Sequence, residues 1–359
     1  MKTRRKAILW ILISAAVIGL LVLGFSLNTG KQMEKIPEMT AEECLRYTLS
    51  EKAEGRISVA LLKDGEITYH MYGENGNEIS LEPLQYEIGS LTKTMTAALV
   101  QQGVQEGSLS LDETIDTYLD YETGNHYPTL RSLLTHTSGC KGYYFAKPFI
   151  KNFFTGGNSF LGVTKEIVRD QGNKLHFDQE VYPWNYSNFG FALLGLILEE
   201  VNGQPMEEQL TTLLSEMGME KSYVSLGKSK VPGGWTWNPG DAYLPAGAVV
   251  SDIQDMAVYA SRQLEAASPF QECHKKQLRV DASPEQWQLM DIRADAMGLS
   301  WILDETNGFI WHNGGTGNYN SYLGFCPETE TAVVVLSNLK PNERISATVI
   351  GVKLLKELQ

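Results

Sequence analysis

Apolar positions change their spacing twice along the chain. After a polar stretch, Ala41–Lys52 carries helical spacing. Ile57–Leu62 and Ile67–Met71 are β-rich runs joined by Lys63-Asp64-Gly65-Glu66. Asp-Gly between two such runs predicts a tight hairpin. From Thr92 to about Ala296 helical patterns dominate. Thr92–Glu106 sets Met95, Leu99 and Gln102 on one face and stops at Gly107; Phe189–Val201 is apolar and stops at Asn202-Gly203. Lys147–Lys165 and Gly227–Ala246, rich in Gly, Pro and aromatics, read as long loops. Short strands return at Leu299–Leu303, Phe309–His312, Ser321–Phe325 and Ala332–Ser337, before a helix at about Ser346–Leu358. Strands at both ends and helices between them predict an α+β fold. One antiparallel sheet is built from both termini and flanked by the end helices, and an all-helical lobe is inserted.

The N-terminus departs from this pattern. Lys2, Arg4, Arg5 and Lys6 precede an uncharged run of 19 residues, Ala7–Phe25. As a helix the run spans roughly 29 Å, the thickness of a bilayer core. The basic cluster belongs on the cytoplasmic side, which places the rest outside. A cleaved signal would carry a shorter apolar region and a small-x-small site. Here the run ends in Phe25-Ser26-Leu27-Asn28, and no lipid-anchoring Cys follows. The expected layout is a basic cytoplasmic segment (1–6), a membrane anchor (7–25), a linker (26–40) and an extracytoplasmic domain (41–359). Either way the protein is exported to the cell envelope.

At 359 residues, 43% hydrophobic and 20% charged, the chain buries a full core. Its formal charge is −13, and −17 once the four basic residues ahead of Ala7 are set aside. That balance excludes nucleic acid as a partner. Cys44, Cys140, Cys273 and Cys326 are far apart with no C-x-x-C pair, so neither a zinc nor a redox motif is present. Export permits disulfides, but spacing does not pair these four.

The chemistry gathers in three places. Ser90-Leu91-Thr92-Lys93 opens the helix that follows the strand-like Tyr86-Glu87-Ile88-Gly89. A serine needs a nearby base to act as nucleophile, and residues i and i+3 share a helix face, so Lys93 can reach Ser90. The same Ser-x-x-Lys spacing recurs at Ser138–Lys141 and Ser225–Lys228, but neither opens a helix after a strand. Tyr186-Ser187-Asn188 is a lone Tyr-x-Asn just ahead of a helix. A tyrosine beside ammonium groups loses its proton more readily and can act as a base; Asn188 can bond Lys93 or a substrate amide. Read singly, it is equally an aromatic core residue and a helix cap. Trp311-His312-Asn313-Gly314-Gly315-Thr316-Gly317 ends a strand. Its glycines let a substrate backbone lie against an edge, and an N–H there can pair with that of Ser90 in an oxyanion hole. Its bland alternative is a glycine-rich turn, and no P-loop context surrounds it.

In this order the motifs resemble those of penicillin-binding proteins and serine β-lactamases. The likeness is to the branch of class C β-lactamases, D-stereospecific peptidases and related esterases. Gly107–Asp112, Thr129–Gly139 and Pro245–Ser251 with Asp255-Met256-Ala257 extend the resemblance over about Ile57–Leu355. It implies that Ser90 attacks a carbonyl with Lys93 as its base, and that Tyr186 carries the proton to the leaving group. Asn188, His312, Gly314 and Gly315 would hold substrate, with Gly315 giving the second oxyanion N–H. His136 and Ser138 would be structural. No metal or cofactor is implied. Envelope D-amino-acid peptides or esters are the expected substrates. A β-lactamase, or a penicillin-sensing or scaffold domain without turnover, is the alternative. His312 stands where a lysine is usual in this family, so the cation facing a substrate carboxylate is expected to be present mainly below about pH 6.5.

Overall fold

The computed structural model describes residues 35–122, 125–179, 181–265 and 270–359. The expected cytoplasmic segment, the anchor Ala7–Phe25 and most of the linker lie outside them. Among the described residues no helix is long and apolar enough to cross a membrane.

The chain enters through helix α1, Ala41–Leu49, which opens on a capping box between Thr40 and Glu43. Strands β1 (Ile57–Lys63) and β2 (Glu66–Tyr72) form the predicted hairpin, with Lys63 opposite Glu66. Asp64 and Gly65 both take positive φ, the geometry that matches the twist of the flanking strands. The remaining strands are β3 (Glu78–Ile79), β4 (Tyr86–Glu87), β5 (Tyr223–Val224), β6 (Val249–Ser251), β7 (Leu278–Arg279), β8 (Ala296–Met297), β9 (Ile302–Asp304), β10 (Phe309–Gly315), β11 (Asn320–Cys326) and β12 (Thr331–Ser337). The main sheet runs β3-β2-β1-β12-β11-β10-β9-β8-β7 and is antiparallel throughout. Its centre joins N-terminal β1 to C-terminal β12, as the pattern of strands at both ends requires. A second sheet, β4-β6-β5, was not predicted; its strands are two or three residues long, too short for a period to register.

Alternation along the central strands sorts the core into two layers. Ala60, Leu62, Leu323, Phe325, Val334 and Leu336 face the helical lobe. That lobe contains α2 (Thr92–Glu106), α3 (Leu130–Leu134), α4 (Lys147–Thr155), α5 (Lys165–Asn173), α6 (Asn188–Asn202) and α7 (Met206–Glu216). Ile57, Val59, Trp311, Tyr322, Val333 and Val335 face the other way, against Leu45 of α1 and Val349, Ile350 and Leu355 of the terminal helix Ala347–Leu358.

Two expectations change. Helix α2 is not amphipathic in place: Thr92 to Gln101 is buried without a break, because the sheet and lobe surround it. Its hydroxyls are satisfied there, Thr94 by Leu91 O and Tyr259, and Thr96 by Pro245 O. Within Lys147–Lys165, expected to be loop, α4 forms from Lys147 with Pro148 in its first turn and stops at Gly156. Phe149, Ile150, Phe153 and Phe154 do recur at helical spacing, but the Gly, Pro and aromatic content of the stretch outweighs that signal in the sequence. The four cysteines are all free and buried.

The terminal helix crosses the sheet closely at Gly351. A Cβ placed there would lie 2.0 Å from the ring of Tyr322, which is fully buried. Alanine ordinarily gains about 1 kcal/mol over glycine inside a helix. Here the overlap outweighs that gain, and Gly351→Ala should lose about 1–3 kcal/mol of stability in urea unfolding.

Candidate active site

The turn Gly89–Leu91 carries Ser90 out of β4 and into α2. Gly89 has φ +53, and a Cβ there would lie 2.6 Å from the Gly315 nitrogen. A Cβ on Gly314 would lie 1.9 Å from the Ile88 carbonyl oxygen. Strand β10 therefore passes directly against the serine turn, and only glycines permit the approach. Ser321 on β11 braces this crossing by donating to Ile88 O at 2.8 Å.

This crossing orients a backbone donor. Thr316 N bonds Tyr319 O at the end of the β10–β11 ladder. By the alternation of antiparallel pairing, Gly314 and His312 bond β11 while Gly315 turns its N–H to the opposite edge. On that edge β9 pairs only with Phe309–Trp311. The Gly315 N–H is thus left beyond the end of β9, on the side of Ser90.

Lys93 is fully buried, with its Nζ 3.0 Å from Ser90 Oγ and 2.7 Å from the carbonyl oxygen of Ala246. The rings of Tyr186 and Phe191 lie 5.0 and 5.5 Å from the same nitrogen. Burial without a carboxylate partner holds its pKa well below the ordinary lysine value. A neutral amine donates to Ala246 O and keeps a lone pair for the Ser90 proton. Among the described residues Asn188 makes no hydrogen bond to Lys93. It lines the cleft instead, with Ser90, Phe160, Trp235, Trp237 and Gly315.

Tyr186 closes the group from the segment before α6. Burial raises its hydroxyl pKa, against a smaller lowering from its hydrogen bond with Ser90. This corrects the expectation of an easily ionised tyrosine. Separating charge between amine and phenol in a dry pocket is costlier than keeping both neutral, so the resting pair is amine and phenol. His312 is corrected in the same sense. It is buried and its pKa falls to about 3, chiefly by burial, with Lys93 adding to the effect whenever it is protonated. Its Nδ1–H donates to Asn313 O at 2.6 Å, leaving Nε2 an acceptor. An imidazole in that state supplies no cation near neutral pH.

Two parts of the site, Ala246 O and Glu87, were missed in the sequence; His136 was expected only as a structural residue. Ala246 O, which takes the Lys93 amine, could not be foreseen because a carbonyl has no residue signature. Glu87 is buried and accepts from Trp235 N and, at 2.6 Å, from Thr316 Oγ1, so it ties the end of β10 to the wall of the cleft. A carboxylate inside an apolar strand three residues ahead of the serine was the available signal. His136 is buried with φ +59; its Nδ1 accepts from Ser187 N at 3.1 Å, and its ring lies 4.5 Å from that of Tyr186. It shapes the Tyr186 loop. Ser138 accepts from Cys140 N within a turn, and Ser225 lies in β5's continuation, its N–H on Ala248 O; neither meets a lysine amine.

Comparison with known proteins gives the family and the fold. A family model described as Beta-lactamase matches residues 44–353. Protein flp of Staphylococcus aureus strain N315 is 23% identical over 311 residues, which cover 79% of this chain and 59% of that protein. The chain thus spans about three-fifths of the length of the curated relatives it matches first. The fold is shared with the octameric penicillin-binding protein homologue of Pyrococcus abyssi (TM-score 0.68, 24% identity, 92% of this chain and 77% of that one). It is also shared with a β-lactamase/D-alanine carboxypeptidase of Yersinia pestis (TM-score 0.70, 20% identity, 92% and 99%).

The β10 crossing sets a test. Gly314→Ala must push β10 off the serine turn and carry the Gly315 N–H with it. A displacement near 1 Å should slow acylation of the protein by a fluorophosphonate about a hundredfold, while circular dichroism shows the fold retained. Labelling at the original rate would separate the glycine crossing from reactivity.

Proposed function

The chain belongs to the Beta-lactamase family, and from that premise we propose that it is an extracytoplasmic serine hydrolase acting through an acyl-enzyme on Ser90. Its substrates are D-amino-acid peptides or esters of the cell envelope, with neutral esters favoured. The observation that carries this reading is the buried, unpaired Lys93 amine 3.0 Å from Ser90 Oγ.

Chemistry follows from the charge states. The neutral Lys93 takes the Ser90 proton as Oγ bonds to the substrate carbonyl carbon. The oxyanion is met by the N–H groups of Ser90 and Gly315. As the carbonyl–heteroatom bond breaks, Tyr186 gives its proton to the leaving group, and the Lys93 ammonium restores it. Water then enters by the reverse path: its proton passes to Tyr186 and Lys93, its oxygen bonds to the acyl carbon, and Ser90 leaves with a proton. Asn188 sits where it can bond the acyl portion of the substrate. Membrane attachment through Ala7–Phe25, with the catalytic domain outside, rests on the basic cluster and the apolar run.

The preference for esters rests on His312. A neutral imidazole gives a substrate carboxylate no counter-charge, which counts against carboxylate-bearing β-lactams and peptides. His312 therefore imposes no fall in rate near pH 6.5, unlike the imidazolium expected from its place in the motif. Ester hydrolysis should instead rise with pH as the remaining Lys93 ammonium loses its proton, because only the amine can act as base. The midpoint should lie well below the ordinary lysine value.

Ser90→Ala should abolish labelling by a penicillin or fluorophosphonate probe, and Ser138→Ala and Ser225→Ala should retain it. Labelling that survives in Ser90→Ala would overturn the assignment of the nucleophile.

His312→Lys should raise kcat/KM on a chromogenic cephalosporin or a D-alanyl peptide with a free carboxylate by roughly ten- to a hundredfold. It should leave a neutral D-alanyl ester nearly unchanged. If the wild type already prefers the carboxylate-bearing substrates and the variant does not alter that preference, the ester reading fails.

A further inference from the structure

The segment Tyr143–Phe154 leaves more apolar surface uncovered than any site chemistry requires. It holds five of the nine large apolar side chains exposed among the described residues: Tyr143, Phe145, Ile150, Phe153 and Phe154. Phe145 is 71% exposed, and Phe153 and Phe154 are 82% and 81% exposed. Phenylalanines this open, clustered on one element, mark an interaction surface.

Helix α4 orders them. At 100° per residue its outer arc reads Phe153, Ile150 and Phe154, followed on the flank by Lys147 and Lys151. Its inner face is fixed. Phe149 packs on Phe160, and buried Asn152 donates to Ser159 O and Leu161 O at 2.9 and 2.8 Å. The exposed face therefore cannot rotate inward to hide.

Charge names the occupant. Between Lys141 and Thr164 the chain has three lysines and no acidic residue, although the protein carries −13. Neither Lys147 nor Lys151 forms an ion pair among the described residues. An apolar arc flanked by free lysines is the composition of a helix that lies in a membrane interface, with rings among the acyl chains and ammonium groups at the phosphates. A symmetric interface with a second copy would set these lysines against one another. The protein's net charge of −13 opposes an anionic surface overall, which this acid-free stretch with its lysines does not.

We propose that α4 is a membrane-docking helix that seats the domain on a bilayer of anionic phospholipid. Phe160, on which Phe149 of α4 packs, also lines the Ser90 cleft, so the docking face and the cleft share a wall. The proposal stands on α4 alone and depends on neither the hydrolase reading nor the anchor at Ala7–Phe25.

The test uses the full chain in vesicles of phosphatidylcholine, with or without an equal part of phosphatidylglycerol. A nitroxide is placed at Phe153→Cys, the four native cysteines being buried. A control label goes at Leu289→Cys, exposed elsewhere on the surface. The anchor would hold the chain to both vesicles; only docking would immerse position 153. The label there should become accessible to oxygen and shielded from an aqueous nickel chelate in the anionic vesicles alone, while position 289 stays aqueous in both. Lys147→Glu with Lys151→Glu should cut the immersed fraction roughly tenfold or more. Three results would overturn the proposal. The first is an aqueous label at 153 on anionic vesicles. The second is the same oxygen accessibility and nickel shielding at 153 on vesicles of phosphatidylcholine alone, which would mean that anionic lipid is not what covers the face. The third is an immersed fraction unmoved by the charge reversal.

Discussion

An amine without a counter-ion, sealed inside the fold, is the constraint on which the site depends. Lys93 can stay buried only because it is neutral, and it is useful only because it is neutral. Ammonium in that position would demand a carboxylate or water, and the pocket offers a carbonyl and two aromatic rings instead. The cost of burying charge thus fixes the protonation state of the base before any substrate arrives. The same dryness keeps Tyr186 a phenol and His312 an imidazole, so the centre is poised for proton transfer without a standing charge.

Keeping that pocket dry needs walls from distant parts of the chain. Helix α2 supplies the lysine, the residues just before and within α6 supply Tyr186 and Phe191, and the Pro245-Ala246-Gly247 turn supplies the carbonyl. Strand β10 supplies the lid of glycine backbone. The antiparallel sheet makes this possible because β1 and β12 pair at its centre, bringing β10 and the β4 turn face to face. Glu87 and Ser321 then pin the crossing through hydrogen bonds on either side of it. Structural and chemical requirements meet in the same residues, so damage to the strand register reaches the serine directly.

The positions at which lysine is replaced or absent shape what the cleft can hold. A neutral His312 removes the counter-charge that a carboxylate needs, while Nε2 still offers a lone pair to a donor. At the outer surface the balance is reversed: α4 concentrates lysine and phenylalanine on a protein that is otherwise acidic. The molecule places charge where water or phosphate can receive it and removes charge from the place where bonds change.

Local rules settled much of this in advance. Spacing i to i+3 put Lys93 beside Ser90, short apolar runs between turns placed the central strands, Asp64-Gly65 set the hairpin, and the glycine stops after α2 and α6 ended those helices. Each of these depends on a few neighbouring residues, and a sequence displays neighbours. Tertiary structure alone decided the charge states of Lys93, Tyr186 and His312, the carbonyl that receives the amine, and the role of Glu87. It also decided which face of α4 meets water. Desolvation is summed over atoms brought in from across the fold, so no window of sequence contains it.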